Sequence, residues 1–500
     1  MYGKVFMARG DVAATEHPLA SLAALRSFQR GGNAFDAAAS ASFALSVVQP
    51  HLSGLGGDFF GLLYEASARK VHCLNASGWA PSSFTAERML ELGNSGVPTF
   101  GHASVVVPGY VKGVFEMHKR FGRLRFSEAL KPAIELAEDG FPVGRGLVGA
   151  LARFEAHLSP GAKRTFLRSG KAPPVGSVVK QKELARSLRD VSEFGADGFY
   201  RGAAADEIRE EMDDAGFETD ATDFSSYSPE WCEPLRMNYR GTDVFEVPPN
   251  SMGATTLLIL RLLEESDMAS VKPNSTERIK VMVEAAQLAY AARDREIGDP
   301  RFARFDFERF LRSGAGAAPQ KKIDKADTTY FAVADREGNV LSCIQSIFHN
   351  FGSRVFIEKG GFFMNNRGSA FKMGGPNRLE PRKRPLHTLS ALILSRDGSP
   401  FVATGASGGE YRPQQHALLA TNIIDYNMEL EEAIDFPRFL WDGAGEVKVE
   451  EGYDGLAKLR MRHQSVGYPG ATGVAQGIQV MSESLKGVCD VRGEGLPAGA

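Results

Sequence analysis

Two adjacent threonines stand where a stretch without hydrophobic periodicity gives way to an alternating one. The stretch 314–327, GAGAAPQKKIDKAD, is followed directly by Thr328 and Thr329. If the chain were cut before Thr328, that residue would carry a free α-amine beside its own hydroxyl. An α-amine with a pKa of about 7.7–8.0 can act as the base for that hydroxyl, without a histidine or a metal. On spacing alone, the simpler interpretation is that the pair merely begins a β-strand.

A glycine-rich turn at 405–409, GASGG, is the second candidate for chemistry. Its neighbouring glycines, Gly408 and Gly409, can direct backbone N–H groups at one point, which suits a developing oxyanion. The same letters fit the G-x-S-x-G motif of α/β-hydrolases, with Ser407 as nucleophile. Possible partners follow in the required order: Asp435 or Asp442, and then His463. However, the preceding segment has the pattern of antiparallel hairpins, and a plain structural turn is the other interpretation.

Two further patterns are weaker. The segment SGLGGD at 53–58 resembles a dinucleotide-binding loop, but it follows a predicted helix rather than a strand, which favours a structural turn. Basic residues recur between 367 and 384, as expected of a solvated loop. Because this stretch precedes the glycine-rich turn, one of its arginines could meet an anionic substrate.

The composition is that of an ordinary globular protein. The 500 residues are 43% hydrophobic and 24% charged, and 58 basic against 61 acidic residues leave a net charge of −3. That balance argues against a nucleic-acid binder. The four cysteines are widely spaced, which disfavours a disulfide framework or a zinc site. With no apolar leader and no membrane-length apolar run, we expect a cytoplasmic protein.

Hydrophobic periodicity predicts a mixture of helices and strands that changes along the chain. The region 150–320 is interpreted as helical, and strands dominate after 328. The predicted helices are 18–30, 34–48, 127–138, 255–265, 277–295 and about 413–426. The predicted strands are 60–64, 70–74, 329–334 and 340–348, with a hairpin of 389–394 and 401–404.

Several short segments, taken in order, resemble the γ-glutamyltranspeptidase family of N-terminal-nucleophile hydrolases. They are GGNAFDAA at 31–38, SGLGG at 53–57, VPG at 107–109, GDP at 298–300, DTTY at 327–330, FGS at 351–353, NN at 365–366, RPL at 384–386 and GG at 408–409. The resemblance covers nearly the whole chain. It implies an α+β fold, namely a four-layer αββα sandwich, and a precursor that cuts itself before a threonine.

The resemblance also implies where the chain divides. Cleavage is expected between Asp327 and Thr328. It would give a large fragment, 1–327, that ends in a flexible linker of about 314–327, and a small fragment, 328–500. The two fragments would stay together as a heterodimer in one intertwined fold.

Roles for individual residues follow from the same resemblance. Thr328 would be the nucleophile, and Thr329 is similar to the family's second threonine. Ser346 stands where the family has a threonine that bonds the nucleophile's amine. Gly408 and Gly409 match the oxyanion-hole glycines, which would make the Ser407 motif accidental.

The departures from the family pattern lie in the substrate pocket. The substituted positions are Ser77 for an arginine, Ala370 for an aspartate, Phe348 for an asparagine, Arg367 for a glutamine, and His387-Thr388 for a serine pair. Because an unpaired buried charge is costly, glutathione should bind poorly unless Arg367 or Arg412 substitutes. A lone arginine without an acidic counterpart would suit an acyl group that bears a carboxylate and no ammonium.

The sequence therefore predicts a self-processing threonine amidohydrolase or acyltransferase that acts on a small-molecule amide or peptide through an acyl-enzyme. It implies no metal, no organic cofactor, no nucleic acid and no membrane, and it leaves open a homo-oligomer of the heterodimer. One alternative is a true γ-glutamyltransferase of glutathione metabolism with a rebuilt pocket. The others are an uncleaved binding homologue and the Ser407 hydrolase.

Overall fold

Two seven-stranded antiparallel sheets lie face to face in the computed structural model, which describes residues 4–313, 322–323 and 326–500. Their strands are β1 (Lys4–Ala8), β2 (Val12–Thr15), β3 (Asp58–Glu65), β4 (Lys70–Ala76), β5 (Glu230–Cys232), β6 (Leu235–Tyr239), β7 (Thr242–Glu246), β8 (Thr329–Ala334), β9 (Val340–Ser346), β10 (Leu392–Arg396), β11 (Ser399–Ala406), β12 (Ala475–Val480), β13 (Leu485–Cys489) and β14 (Leu496–Gly499). The first sheet has the order β1-β13-β12-β11-β10-β7-β6, and the second has the order β14-β2-β8-β9-β3-β4-β5. Most of the predicted linker 314–327 lies outside the described residues.

Helices cover the outer face of each sheet. They are α1 (Pro18–Gln29), α2 (Ala34–Val48), α3 (Ala86–Glu91), α4 (Tyr110–Phe121), α5 (Phe126–Asp139), α6 (Arg145–Phe154), α7 (Pro160–Phe166), α8 (Lys182–Phe194), α9 (Asp197–Tyr200), α10 (Ala203–Asp214), α11 (Ala221–Ser225), α12 (Gly253–Leu263), α13 (Thr276–Glu296), α14 (Phe307–Leu311), α15 (Arg412–Ile424) and α16 (Leu430–Asp435). Helices α1, α2, α4 and α5 belong to the layer on the second sheet, and α12, α13 and α15 to the layer on the first.

Three hydrophobic cores separate these four layers. One core packs α2 against the helix-facing side of β8 and β9, and another packs α12 and α15 against β10. Between the sheets, Tyr330 and Ile344 of the second sheet meet Ile393 and Ala403 of the first. The predicted αββα sandwich is confirmed.

Most predicted elements lie within a few residues of the observed ones, but the interpretation of 150–320 as helical is wrong for β5, which is an edge strand of the second sheet, and for the β6–β7 hairpin. The hairpin of β6 and β7 lies within that region and joins the first sheet through pairing of β7 with β10. Alternating burial along β7 shows the amphipathic pattern of a strand with one covered face. Its partner strand lies about 150 residues later in the chain, so local sequence carries little sign of the pairing.

The second sheet contains strands from both sides of Thr328. The strand that follows Thr328, β8, pairs with β2 on one side and β9 on the other, and β9 pairs in turn with β3. The two central strands are therefore enclosed by strands from the first 327 residues. In the part of the chain that the structure describes, no helix has the length and apolarity needed to cross a membrane.

Helix α2 begins at a buried carboxylate that ties three segments together. The side chain of Asn33 accepts hydrogen bonds from the first turn, while Asp36 accepts from the Asn33 N–H at 2.9 Å. Asp36 also accepts from the N–H groups of Arg123 and Leu124, and lies 2.9 Å from Nε2 of His118. Burial by itself would raise the pKa of Asp36, but the bond from His118 and those from the backbone lower it below the ordinary value.

We expect Asp36→Asn to lower the free energy of unfolding at pH 7 by about 1–3 kcal/mol, because buried N–H donors lose a charged acceptor. Since the folded pKa of Asp36 is depressed, its contribution is present above a pH of about 4 and is lost as the pH falls through the folded pKa. Thermal unfolding should therefore show a difference in melting temperature between the wild type and Asp36→Asn that becomes smaller in acid. The control Asp139→Asn changes an exposed carboxylate and should have no such effect. Equal stability of Asp36→Asn and the wild type at pH 7 would contradict this account.

Candidate active site

Thr328 lies at the start of a central strand, with its side chain fully buried. In the antiparallel pair of β8 and β9, Thr329 is opposite Gln345. The same register places Thr328 opposite Ser346, and the Thr328 hydroxyl donates to Oγ of Ser346 at 3.2 Å. Strand pairing thus brings together two hydroxyls that are 18 residues apart in sequence.

The Ser346 hydroxyl also contacts the peptide bond before Thr328. It donates to the carbonyl oxygen of Asp327 at 3.0 Å and accepts from the Phe348 N–H at 2.8 Å. The side-chain amide of Asn350 donates to the Asp327 carboxylate, so Asp327 is bonded through its side chain as well as through its backbone carbonyl. One serine hydroxyl is therefore bonded both to the candidate nucleophile and to the carbonyl that self-cleavage would attack.

The glycine-rich turn follows β11 and leads into α15, as predicted. Gly408 and Gly409 have φ angles of 142° and 61°, which side-chain-bearing residues rarely adopt. The Ser407 hydroxyl accepts from the Val474 N–H at 2.9 Å, and the His463 ring bonds the backbone carbonyl of Met461. The structure thus gives Ser407 a role in the turn and does not join it to the histidine that the hydrolase alternative needs.

Thr328 opens into a cavity of about 420 Å³, here called the Thr328 cavity. Asp327, Gly408 and Asn350 line it, so the candidate nucleophile and the glycine-rich turn share one space. Glu16 also lines it and is 6% exposed. Burial raises the pKa of Glu16 well above its ordinary value, which favours the neutral acid. Sequence reasoning missed Glu16, because a single glutamate after a short strand carries no signal of its own.

A second cavity, of about 370 Å³, is here called the Phe348 cavity. Phe348, Ala370 and Thr388 line it, and all three are positions where the family pattern places substrate-binding residues. Lys322 and Ile323 line it as well, so the segment before Thr328 borders this space in the uncut chain. The structure thus brings together three of the sequence-predicted pocket positions.

Arg367 and His387 lie directly behind that cavity, and both are fully buried. The Arg367 guanidinium donates to the Thr388 hydroxyl at 2.9 Å and lies 4.0 Å from the centre of the Phe348 ring. Nε of Arg367 is 3.6 Å from Oδ2 of Asp58, and Nε2 of His387 is 3.1 Å from the same oxygen. Burial, together with the positive charge of Arg367, lowers the pKa of His387 to about 3, so its ring is neutral.

The expectation of a lone arginine without an acidic counterpart is therefore wrong. Asp58 supplies the counterpart, because β3 begins at Asp58 and pairs with the end of β9 at Ser346. Its other oxygen, Oδ1, accepts from the Gly78 N–H at 2.7 Å. Sequence reasoning placed Asp58 in a structural turn, and nothing local indicates a contact with a residue 309 positions later.

Arg412 is a second buried guanidinium in the same region. It is fully buried, and its Nε donates to the Ala406 carbonyl at 2.8 Å. Within the described residues, Nη1 and Nη2 have no hydrogen-bond partner. Burial, followed by the positive charge of Arg367, lowers the pKa of Arg412 to about 9. A buried cation with unsatisfied donors close to another arginine is the arrangement that an anionic group would complete.

The remaining predicted residues, Ser77 and Thr329, do not line either cavity. Ser77 is fully buried, and its hydroxyl donates to Oδ1 of Asn75 at 2.7 Å in a network that includes Asn250. It lies beyond the lining of the Phe348 cavity. Thr329 is buried as the first residue of β8, beside the candidate nucleophile.

The four-layer sandwich is that of the N-terminal-nucleophile hydrolases. A cephalosporin acylase from Bacillus halodurans superposes with a TM-score of 0.92 and 32% identity, over 99% of this chain and 97% of that one. Residues 20–500 match the family model described as gamma-glutamyltranspeptidase, and the chain belongs to that family. The protein is an enzyme of the family's hydrolase and acyltransferase class.

Similar proteins differ in the activities that their names give. A glutathione hydrolase-like YwrD proenzyme from Bacillus subtilis (strain 168) is 36% identical over 521 residues, which cover 98% of each chain. An oxamate amidohydrolase proenzyme from Klebsiella pneumoniae is 31% identical, also over 98% of each chain. Both names designate proenzymes, so precursor processing is a shared theme among these relatives.

We expect Asp58→Asn to lower the stability of the fold by about 3–5 kcal/mol, because it leaves the buried Arg367 without a negative partner. Calorimetric unfolding, with both proteins carrying Thr328→Ala so that their covalent state is the same, measures the loss. The matched control Asp214→Asn removes an exposed carboxylate at the end of α10. If Asp58→Asn and Asp214→Asn both unfold at the same temperature as the Thr328→Ala parent, Asp58 does not compensate the charge of Arg367.

Proposed function

We propose that this chain is the precursor of an N-terminal-threonine amidohydrolase or acyltransferase with Thr328 as its nucleophile. The observation that carries the proposal is the Ser346 hydroxyl, which is bonded to both Oγ of Thr328 and the carbonyl of Asp327. These are the two groups that must react for the chain to cut itself.

In the proposed self-cleavage, Oγ of Thr328 attacks the carbonyl carbon of Asp327 while Ser346 donates to the oxygen on which negative charge develops. The C–N bond then breaks, and the nitrogen of Thr328 becomes a free amine. This leaves an ester between the Asp327 carboxyl and the Thr328 hydroxyl. Water hydrolyses the ester and releases Asp327 as a new carboxyl terminus.

The same groups would then turn over substrate. The Thr328 amine accepts the proton of its own hydroxyl, which attacks an amide carbonyl, and Ser346 positions that amine. Backbone N–H groups of Gly408 and Gly409 would stabilise the oxyanion, and Thr329 supports the nucleophile from the next position. The amine part of the substrate leaves, and water or an acceptor amine removes the acyl group from Thr328.

We further propose that the acyl group bears a carboxylate. The Phe348 cavity lies against two buried arginines, Arg367 and Arg412. Its own lining includes two carboxylates, Asp294 and Glu410, and both are paired with Arg293. Asp58 is close to Arg367 but lies outside the lining. The charge of Glu246 also acts on Arg412, but its carboxylate is bonded to His416 and Ser390. The arginines therefore leave an excess of positive charge, which would draw an anionic acyl terminus, and Ala370 offers no carboxylate to an ammonium group.

The fragments are proposed to stay together as a heterodimer, because β8 and β9 are enclosed by β2 and β3 in one sheet. Departure of the segment that contains Lys322 and Ile323 would enlarge the Phe348 cavity for substrate. A cytoplasmic location stays a prediction, as does assembly beyond the heterodimer.

Purified wild-type protein is expected to yield two pieces. Scaling 54.1 kDa by the fractions 327/500 and 173/500 gives about 35 and 19 kDa. Intact-mass measurement should locate the cut between Asp327 and Thr328, and Thr328→Ala should remain whole. Ser346→Ala should cut more slowly, because the attacked carbonyl loses its donor. An uncut wild-type chain after long incubation would instead support a non-catalytic binding homologue, and cutting of Thr328→Ala at this bond would exclude Thr328.

The cleaved protein is expected to hydrolyse glutaryl 4-nitroanilide better than γ-glutamyl 4-nitroanilide, since Ala370 offers no carboxylate to an ammonium and the lining carboxylates Asp294 and Glu410 are already paired with Arg293. For Arg412→Gln, the ratio of kcat/KM for glutaryl over butyryl 4-nitroanilide should fall about tenfold or more, because a charge-assisted contact is worth about 1.5–3 kcal/mol. Arg412→Lys keeps a charge and should retain part of the ratio.

Self-cleavage of each variant reports that its fold is intact. Arg304→Gln, which changes an exposed arginine outside both cavities, serves as the control and should keep the wild-type ratio. A clear wild-type preference for the γ-glutamyl compound would reject the carboxylate-acyl proposal and favour a γ-glutamyltransferase with a rebuilt pocket.

A further inference from the structure

Cys73 and Cys232 lie directly opposite each other on neighbouring antiparallel strands. They are 159 positions apart in the chain, but the pairing of β4 with β5 makes them partners in the register. Side chains of two such residues point to the same face of the sheet. Both belong to the core between the two sheets, where Cys232 packs against the cluster that contains Cys73.

The spacing of the two strands suits a covalent bond between these side chains. Residues directly opposite in an antiparallel pair have Cα atoms about 4.5 or 5.5 Å apart, depending on the hydrogen-bonding position. A disulfide requires a Cα–Cα distance of about 4.4–6.8 Å, so both positions fall within its range. The Cys232 thiol already donates to the backbone carbonyl of Cys73 at 3.7 Å, which places its sulfur beside the opposite strand.

The two thiols differ in their access to solvent. Cys73 is fully buried, whereas Cys232 is half-buried on β5, the edge strand of the second sheet. Burial, followed by the contact with the Cys232 thiol, raises the pKa of the Cys73 thiol well above its ordinary value. A reagent from solution therefore meets Cys232 first, and Cys73 is placed to react with Cys232 in a second step.

The other two cysteines of the chain are placed differently. Cys343 is fully buried in the core between the second sheet and its helices, on the face of the sheet opposite to that of Cys73. Cys489 is fully buried on β13 of the first sheet, and its thiol donates to the Thr15 carbonyl at 3.4 Å. Among the four cysteines, all of which the structure describes as free thiols, only Cys73 and Cys232 face each other.

We propose that Cys73 and Cys232 are a site of reversible oxidation and form a disulfide when a small disulfide compound acts as the oxidant. In the first step, the Cys232 thiolate attacks one sulfur of the compound, whose S–S bond breaks and releases one thiolate. In the second step, Cys73 loses its proton and its Sγ attacks Sγ of Cys232, which releases the other half of the compound as a thiolate. Two protein thiols are oxidised, and the compound is reduced to two thiols.

The bond would fix an edge of the second sheet that is connected to the candidate site. Asn75, two residues after Cys73, is opposite Glu230, which is paired with Arg384. Arg384 lies two residues before Leu386 in the lining of the Phe348 cavity. Because the disulfide closes a loop of 159 residues, it should restrict the unfolded chain. We expect the melting temperature of the oxidised protein to rise by about 2–4 °C.

Oxidation of the folded wild type by bis(2-hydroxyethyl) disulfide, a neutral reagent, tests the site. The reagent is removed, the protein is denatured in N-ethylmaleimide, and its thiols are counted by the mass added. The count should fall from four to two, a digest should contain a peptide that joins Cys73 to Cys232, and dithiothreitol should restore four thiols. Both cysteines precede Thr328, so the disulfide lies within one chain whether or not the protein has cut itself.

Variants separate the two steps. Cys73→Ala should stop at the mixed disulfide, with half of the reagent on Cys232, and Cys232→Ala should resist oxidation. The matched control Cys343→Ala changes an equally buried cysteine and should still form the disulfide. The rise in melting temperature on oxidation should appear in Cys343→Ala and be absent from Cys232→Ala.

A wild type that keeps four thiols, or that stops at a mixed disulfide on Cys232, overturns the proposal. A disulfide that lowers the melting temperature overturns it as well, because the two strands would then have to distort to form the bond. These outcomes are measured on the wild type, so a variant that fails to fold does not prevent the decision.

Discussion

The antiparallel pairing of β8 with β9 is the interaction on which the site depends. This pairing sets Thr328 opposite Ser346 and places the Asp327 carbonyl within reach of the same hydroxyl. A shift by one residue would turn every side chain of β8 to the opposite face of the sheet and would point Thr328 away from its partner. Cores on both faces of the sheet oppose such a shift, because β8 and β9 carry apolar side chains on each side. Packing of the sandwich thus holds the chemistry in register.

Buried charge is the second constraint. Two arginines of the candidate site, Arg367 and Arg412, are fully buried, and one aspartate, Asp58, faces the first of them. Burying a cation is unfavourable unless other groups compensate, and within the described residues Nη1 and Nη2 of Arg412 have no hydrogen-bond partner. The neutral His387 fits the same logic, since a second positive charge beside Arg367 would be more costly still.

Sequence was a good guide where the determining interactions are local. Helix α2 has the predicted bounds because Asn33 and Asp36 cap its first turn, and β8 has the predicted bounds because an alternating run follows a stretch without period. Sequence was a poor guide where the partner is distant. The contact between Asp58 and Arg367 and the pairing of β7 with β10 depend on the assembled sandwich. The resemblance to a known family, rather than the spacing of Thr328 itself, made that residue the leading candidate.

The position of β8 and β9 between strands from the first 327 residues also bears on how the protein folds and matures. Because β8 and β9 lie between β2 and β3, the sheet around the bond before Thr328 is complete only when strands from both sides of that bond have assembled. Under the proposed self-cleavage, a cut chain is therefore one that has folded correctly, and a misassembled chain would stay uncut. After the cut, the protein would consist of two chains that folded together as a single chain. If the cleaved protein later unfolds and its fragments separate, each fragment must find the other by diffusion. The uncut precursor folds with both parts joined in one chain, and refolding after cleavage lacks that advantage.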